Sequence, residues 1–469
     1  MTIEQQPPDL PVSLSPKWPP PKTVIEHIWR TLALAGPSMA ARVGILVMFT
    51  ADTLMVGRAG GNELVHLGLG LTVQMVLMMI AIGFMQGGMI LTAQNFGSQR
   101  YRRCGAVLKV GLAVGAVLGV FFAIVSFITE PILWVTGQDP QLISGAASVA
   151  FHFAWGMPGM LLYIACSYFM EGITRPIFAM LAMIFGNVLN IALNVVFVFG
   201  WGEFVDPQGA SGAVIATSIT RWFVFAFMAG AIWFATDRQK YGLSFGYGAR
   251  SPSYFLGLTG RMLRISYPMG IGQGLDAAAF SSLVLMAGLI GAAATSAHQI
   301  TQNVVSLAMM VAIGMSAATA VRVGNAIGRR DPDNVKLAGW TGVGLGIAIL
   351  APVAAAFTLV PAGFASLFTS DGSVTAIATD TIWVAGIILV FNGALWVTLG
   401  ALRGTGDTFA AMVIQVLPLW IVAVPLGAYL AFSLQFGAVG LYYGLFVGIL
   451  ISLIAVFWRF RQITRRLAF

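Results

Sequence analysis

MMIAIG at residues 78–83 is repeated as MMVAIG at residues 309–314, an offset of 231 positions. With 55 glycines in the chain a single matching glycine carries little, but a six-residue block with two methionines marks an internal duplication. The register extends outward from it. Pro37 meets Pro268 and Gly97 meets Gly328 at the same offset, and each of these glycines is followed by a basic turn. Further on, Gly209 and Gly212 recur as Gly437 and Gly440 with the offset drifted to 228, as small differences in loop length allow.

Each copy is almost wholly apolar. The chain is 58% hydrophobic and 9% charged, where soluble domains carry roughly 25% charged residues, so this is an integral membrane protein. Its 469 residues divide into twelve apolar stretches long enough to cross a bilayer, six before and six after a polar loop at 237–263. The expected fold class is all-α: twelve transmembrane helices in two six-helix lobes. An even number of spans gives both halves the same orientation, related by a pseudo-twofold along the membrane normal with a pathway between them. The expected organisation is a Pro-rich cytoplasmic tail over 1–30, an amino lobe over 31–236, a cytoplasmic linker over 237–263, a carboxy lobe over 264–460 and a basic tail over 461–469.

Charge then orients the chain. All 25 Lys and Arg residues except Arg42, Arg58 and Arg221 fall at the even-numbered turns or the termini, while Glu63, Glu130, Asp139, Glu203, Asp206 and Asp371 fall at the odd ones. The positive-inside rule places both termini in the cytoplasm of a multi-pass inner-membrane protein. Topology therefore accounts for the formal charge of +8, and nucleic acid is not an expected partner. Nor is an enzyme expected: no metal-binding Cys/His spacing, nucleophile elbow or complete phosphate-binding loop is present.

The first span, LALAGPSMAARVGILVMFTADTLMVG at 32–57, carries Asp52. A charge near mid-bilayer costs roughly 2.5–3.5 kcal/mol on insertion scales, so an intramembrane acid faces a cavity or a partner. The fifth span places Asn187, Asn190 and Asn194 at i, i+3 and i+7, one face of a helix. Counted from the outer ends of their spans, Asp52, Asn194 and Thr217 lie at similar depth, with Asn190 one turn deeper. An acid, two amide oxygens and a hydroxyl at one level can hold a hard cation such as Na⁺ on Asp52, Asn190 and Asn194, or form a carboxyl that takes a proton. The alternative is a static ion pair of Asp52 with Arg221 or Arg42. His152 and His298 read as hydrogen-bonded packing residues.

These residues fall in longer motifs. Pro37 is followed fifteen residues later by DTLMVG; the second and third spans contain GFMQGGMILTAQNFGSQ; GITRP at 172–176 leads to Asn190, Asn194 and VFVFG; GASGAVIATS opens the sixth span, and the eighth holds SAHQI and RVGNAIG. In these the chain resembles the MATE (multidrug and toxic compound extrusion) antiporters, over essentially everything from Leu32 to Arg459. The resemblance implies a two-lobed secondary active transporter, a monomer among membrane lipids, that exports varied amphiphilic, often cationic small molecules in exchange for H⁺ or Na⁺, with no cofactor besides the coupling ion. It implies an amino-lobe cation site on Asp52, Asn190, Asn194 and Thr217. In the carboxy lobe, sodium-coupled members use a glutamate in the seventh span and an aspartate in the tenth; here Asp276, beside Gln273, occupies the first position and Asn392 the second. That lobe lacks one carboxylate, so Asp276, Gln273, Asn392 and Arg221 are expected at the substrate cavity or a second acid site. Two other classes remain: a lipid- or polysaccharide-precursor flippase, hinted at by Arg42 and Arg221, and a non-transporting scaffold.

Overall fold

The computed structural model describes residues 23–243 and 252–467, so most of the expected amino-terminal tail, part of the linker and residues 468–469 lie outside the described residues. Among the described residues, twelve helices are long and apolar enough to span a membrane. In chain order they are α1 (Val24–Ala59), α2 (Glu63–Gly97), α3 (Tyr101–Ser126), α4 (Pro140–Gly172), α5 (Ile177–Phe199), α6 (Gly209–Ala235), α7 (Pro252–Ile290), α8 (Ala292–Arg329), α9 (Pro332–Leu359), α10 (Gly372–Thr405), α11 (Thr408–Ser433) and α12 (Gly437–Leu467). Helices are the form such sequences must take, because a backbone in hydrocarbon has to satisfy its own polar groups.

Two boundaries differ from the sequence expectation. The first helix begins at Val24, inside the expected tail, and the seventh at Pro252, inside the expected linker. Hydropathy misses both starts because they are amphipathic turns where polar residues interrupt the apolar run. Thr23 caps α1 by accepting from Glu26 N at 3.3 Å. The eleventh span is irregular: π-helical turns at Leu419–Ala423 and Tyr429–Ser433 follow Pro418 and Pro425, which lack the N–H that a regular α-helix would use.

The duplication is visible as reciprocal packing. A Cβ on Gly97 would overlap the carbonyl of Asn325, and a Cβ on Gly328 would overlap the carbonyl of Gln94. Exchanging each residue for its mate 231 positions away converts one contact into the other. Gly83 against Gly270 and Gly314 against Met39 form a second such pair. Even a backbone irregularity is duplicated: Gln99 (φ 58°) and its mate Arg330 (φ 57°) both adopt the left-handed conformation that ends a helix.

The first helix of each half is shared between lobes. Ala35 of α1 packs in the core built by Leu283, Met315, Leu399 and Leu441, whereas Met262 of α7 packs in the core built by Met85, Phe153, Leu161 and Phe169. The lobes are thus joined at the face of the molecule that carries both chain ends, here the basic face. Gln94 Nε2 donates to the Gly404 carbonyl at 3.1 Å, and Arg322 donates to the His27 carbonyl at 2.7 Å and to Thr31. This corrects the charge inventory: Arg322 and Arg403, counted as turn residues, are buried near the ends of α8 and α10.

Candidate functional site

Asn187 shows how α5 is fixed against α1. Its amide donates to the Gly44 carbonyl at 3.0 Å, and a Cβ on Gly44 would press on Met183 and Asn187, so the two helices approach where one lacks a side chain. This member of the asparagine stripe is interhelical glue. One and two turns on, the same face meets Asp52.

Asp52 is buried, and its carboxylate is held from two helices. Asn194 Nδ2 donates to Oδ1 at 2.6 Å, and Thr217 Oγ1 donates to Oδ2 at 2.5 Å. A second layer closes the network: Asn190 Nδ2 donates to Thr217 Oγ1 at 3.0 Å, and Asn194 Nδ2 is also 3.3 Å from Asn190 Oδ1. Asn190 and Asn194 are fully buried, and Asn194 Oδ1 has no hydrogen-bond partner. The depth argument from sequence thus brought together the four residues that meet here. At the end of the bundle opposite the basic face, Glu63 of α2 steadies α6 by accepting from Ala210 N at 2.6 Å, at the helix start where Gly209 takes a φ of 52°.

Neither arginine considered as a partner for Asp52 pairs with it. The Arg221 guanidinium lies over the Phe153 ring, 4.1 Å from its centroid, and reaches the Met78 sulfur at 4.0 Å. Arg42 is 3.7 Å from Glu171. Asp52 therefore has no salt-bridged partner: its hydrogen-bond donors are neutral, and Arg221 acts on it only through space. Among the described residues no three His, Cys, Asp or Glu side chains converge on a common point. One negative charge with amide and hydroxyl oxygens matches an ion of single positive charge, or a proton, better than a divalent metal.

The carboxy lobe is arranged differently. Gln415 of α11 donates through Nε2 to Asp276 Oδ2 and accepts through Oε1 from Arg403 at 2.6 Å, so an amide bridges acid and base. Asn392 is not part of this group; its amide points to the Met309 sulfur at 3.6 Å. Gln273, one turn from Asp276, is half-buried and outside the bridge. Of the residues expected at a substrate cavity or second acid site, Asp276 is thus bridged to Arg403 by Gln415, while Gln273, Asn392 and Arg221 lie outside that bridge. His152 Nδ1 donates to the Ser148 carbonyl of its own helix at 2.8 Å, and His298 Nδ1 lies 3.0 Å from Tyr442 Oη.

Sequence reading missed Glu171. It is as buried as Asp52 and lies in a membrane span, so the reasoning that singled out Asp52 applies equally to it. Its pairing with Arg42 ties α4 to α1 beside Tyr163 and Tyr168. Glu171→Ala would leave the guanidinium unpaired, and we expect a loss of about 3 kcal/mol. It would be read as a lower thermal unfolding midpoint in detergent. An Arg42→Met/Glu171→Met double variant should recover most of that loss, because it removes both charges.

Comparison with known proteins places this geometry. The MatE family profile matches twice, over residues 37–196 and 268–429, beginning at the mated prolines. A probable multidrug resistance protein NorM of Mesorhizobium japonicum is 31% identical over 437 residues, covering 90% of this chain and 92% of that protein. Among solved structures, a MATE protein in complex with MaL6 superposes with a TM-score of 0.86 at 20% identity, over 94% of this chain and 97% of the other. The eukaryotic MATE transporter AtDTX14 superposes at 0.83 with 19% identity, over 95% and 98%.

Proposed function

We propose that this chain, which belongs to the MatE family, is a secondary active multidrug efflux antiporter of the bacterial inner membrane. It exports amphiphilic, cationic small molecules in exchange for H⁺ or Na⁺. Relatives named multidrug resistance protein NorM support the substrate class. The observation that carries ion coupling is Asp52, a buried carboxylate that forms no salt bridge and is held by the neutral network of Asn190, Asn194 and Thr217. The basic face is cytoplasmic by the charge rule, with both termini there, and the chain works as a monomer in lipid. Packing of the lobes at that face corresponds to a state open to the outside.

Helix α1 links the ion to the substrate. One end carries Asp52 into the amino lobe, and the other packs Ala35 into the core of the carboxy lobe. Between them lie Pro37, which interrupts the helical hydrogen bonds, and Gly44, pressed on α5. An ion bound at Asp52 changes how the outer half of α1 is held against α5 and α6, and the inner half moves relative to the other lobe. Asn194 supplies the local switch. With its N–H toward Asp52 it supports an ionised carboxylate; turned by half a rotation, its unpartnered Oδ1 becomes a ligand for Na⁺ or an acceptor for a carboxylic proton. One charge entering down 100 mV is worth about 2.3 kcal/mol, enough to hold a roughly fiftyfold gradient of a neutral substrate.

The test is efflux of a fluorescent cationic amphiphile from proteoliposomes under an imposed Na⁺ gradient and, separately, an imposed pH gradient. One or both should drive efflux above the level of empty vesicles, and failure of both would reject antiport. The flippase reading needs a strongly cationic cavity, and its two arginines are engaged elsewhere, Arg42 with Glu171 and Arg221 with Phe153 and Met78.

A further inference from the structure

A cavity of about 170 Å³ opens at the basic face where the two lobes meet, between the α2–α3 turn, α7 and the end of α8. Four arginines line it: Arg100 and Arg103 from the amino lobe, Arg261 and Arg330 from the carboxy lobe. Among the described residues none of the four has a carboxylate within ion-pair distance. All four are exposed, so solvent screens part of their mutual repulsion, and an anion between them would offset what remains.

The second repeat carries an anion of its own at the matching turn. At the position equivalent to Arg100 it has Asp331, whose carboxylate caps α9 by accepting from Asn334 N at 3.1 Å and from the Asn334 side chain at 2.5 Å. In the first repeat no side chain caps the start of α3, and Arg103 stands where the second has Asn334. Arg261 has a basic mate in both copies, since its equivalent is Arg30. One copy carries its carboxylate in the sequence; the other offers arginines and a helix start.

We propose that this cavity binds the phosphate of an anionic lipid headgroup from the cytoplasmic leaflet and that the bound headgroup clamps the lobes together at this face. Arginine is suited to phosphate, offering paired N–H groups in fixed geometry. Basic pockets between transmembrane helices on the cytoplasmic side are where such headgroups collect. Lipid is adjacent: Leu256 and Leu263 of α7, either side of Arg261, are exposed hydrophobic residues. The assignment of leaflet rests on the orientation given under Proposed function, but binding is read without transport, so failure of one is distinguishable from failure of the other.

The experiment is native mass spectrometry of the full-length protein released from micelles containing phosphatidylglycerol and phosphatidylcholine, with inorganic phosphate as a second arm. Wild type should retain phosphatidylglycerol preferentially. At about fivefold for each arginine removed, the Arg103→Gln/Arg261→Gln variant should lose tenfold or more of that retention. Arg100→Asp, which installs the carboxylate of the second repeat, should lose it as well while keeping the thermal midpoint of wild type. Equal retention by wild type and the double variant would overturn the proposal. So would inorganic phosphate that binds alone and displaces the lipid at millimolar concentration, because the site would then take a free anion.

Discussion

Asp52→Asn is expected to reduce ion-driven efflux to the level of empty vesicles while leaving insertion and thermal stability close to wild type. The substitution removes one charge and changes no shape. Thr217 can still donate to the oxygen of the new amide, as it now donates to Oδ2. On the other side the new N–H₂ would meet Asn194 Nδ2, a clash of two donors, but Asn194 Oδ1 is unpartnered and half a turn of that amide presents it. Both hydrogen bonds to residue 52 are thus kept and only the long contact of Asn194 Nδ2 with Asn190 Oδ1 is given up, which is why folding should survive. What is lost is any reason for a cation or proton to enter: a neutral amide neither titrates nor offsets a positive charge in a buried site. The check is the proteoliposome efflux assay under each gradient, with the thermal midpoint measured on the same preparation. Wild-type efflux from the variant would remove Asp52 from the coupling mechanism.

Why these four residues could be found in the sequence, and others could not, has a physical explanation. Asp52, Asn190, Asn194 and Thr217 each lie in a long, uninterrupted apolar run, so their depth follows from counting residues, and groups at one depth on neighbouring helices can meet. The fold was legible for a related reason: the repeat offset survives in three dimensions as Gly97 against Asn325 and Gly328 against Gln94. Gln415 and Arg403 were not legible as partners of Asp276. Arg403 sits at the end of α10, where sequence places it in a turn, yet its long side chain runs back into the protein to reach Gln415. The reciprocal case is Asn392, which matched a family position by spacing but faces a methionine, because helix rotation about its own axis is fixed by packing and leaves no trace in hydropathy.

The lobes should fail to close in Gly97→Val and in Gly328→Val, and this is the second large effect. In each case the added carbons fall on the partner helix's backbone, the Asn325 carbonyl in one and the Gln94 carbonyl in the other, and backbone cannot rotate away as a side chain can. Small residues allow α2 and α8 to touch here, and the pseudo-twofold puts the two glycines on the same seam, so either change separates the same pair of helices. Relief comes only by moving the lobes apart at the basic face, which also breaks the Gln94–Gly404 hydrogen bond. Spin labels at the exposed repeat mates Arg102 and Asp333, in a background without Cys104 and Cys166, should report a longer distance in each variant than in wild type. Efflux should fall with it, since a transporter that cannot seal one face leaks or stalls in a single state. If the labels stay at the wild-type distance in both variants and efflux persists, the seam is not what holds this face shut, and closure must rest on the swapped ends of α1 and α7 and on the Arg322 hydrogen bonds to His27 and Thr31.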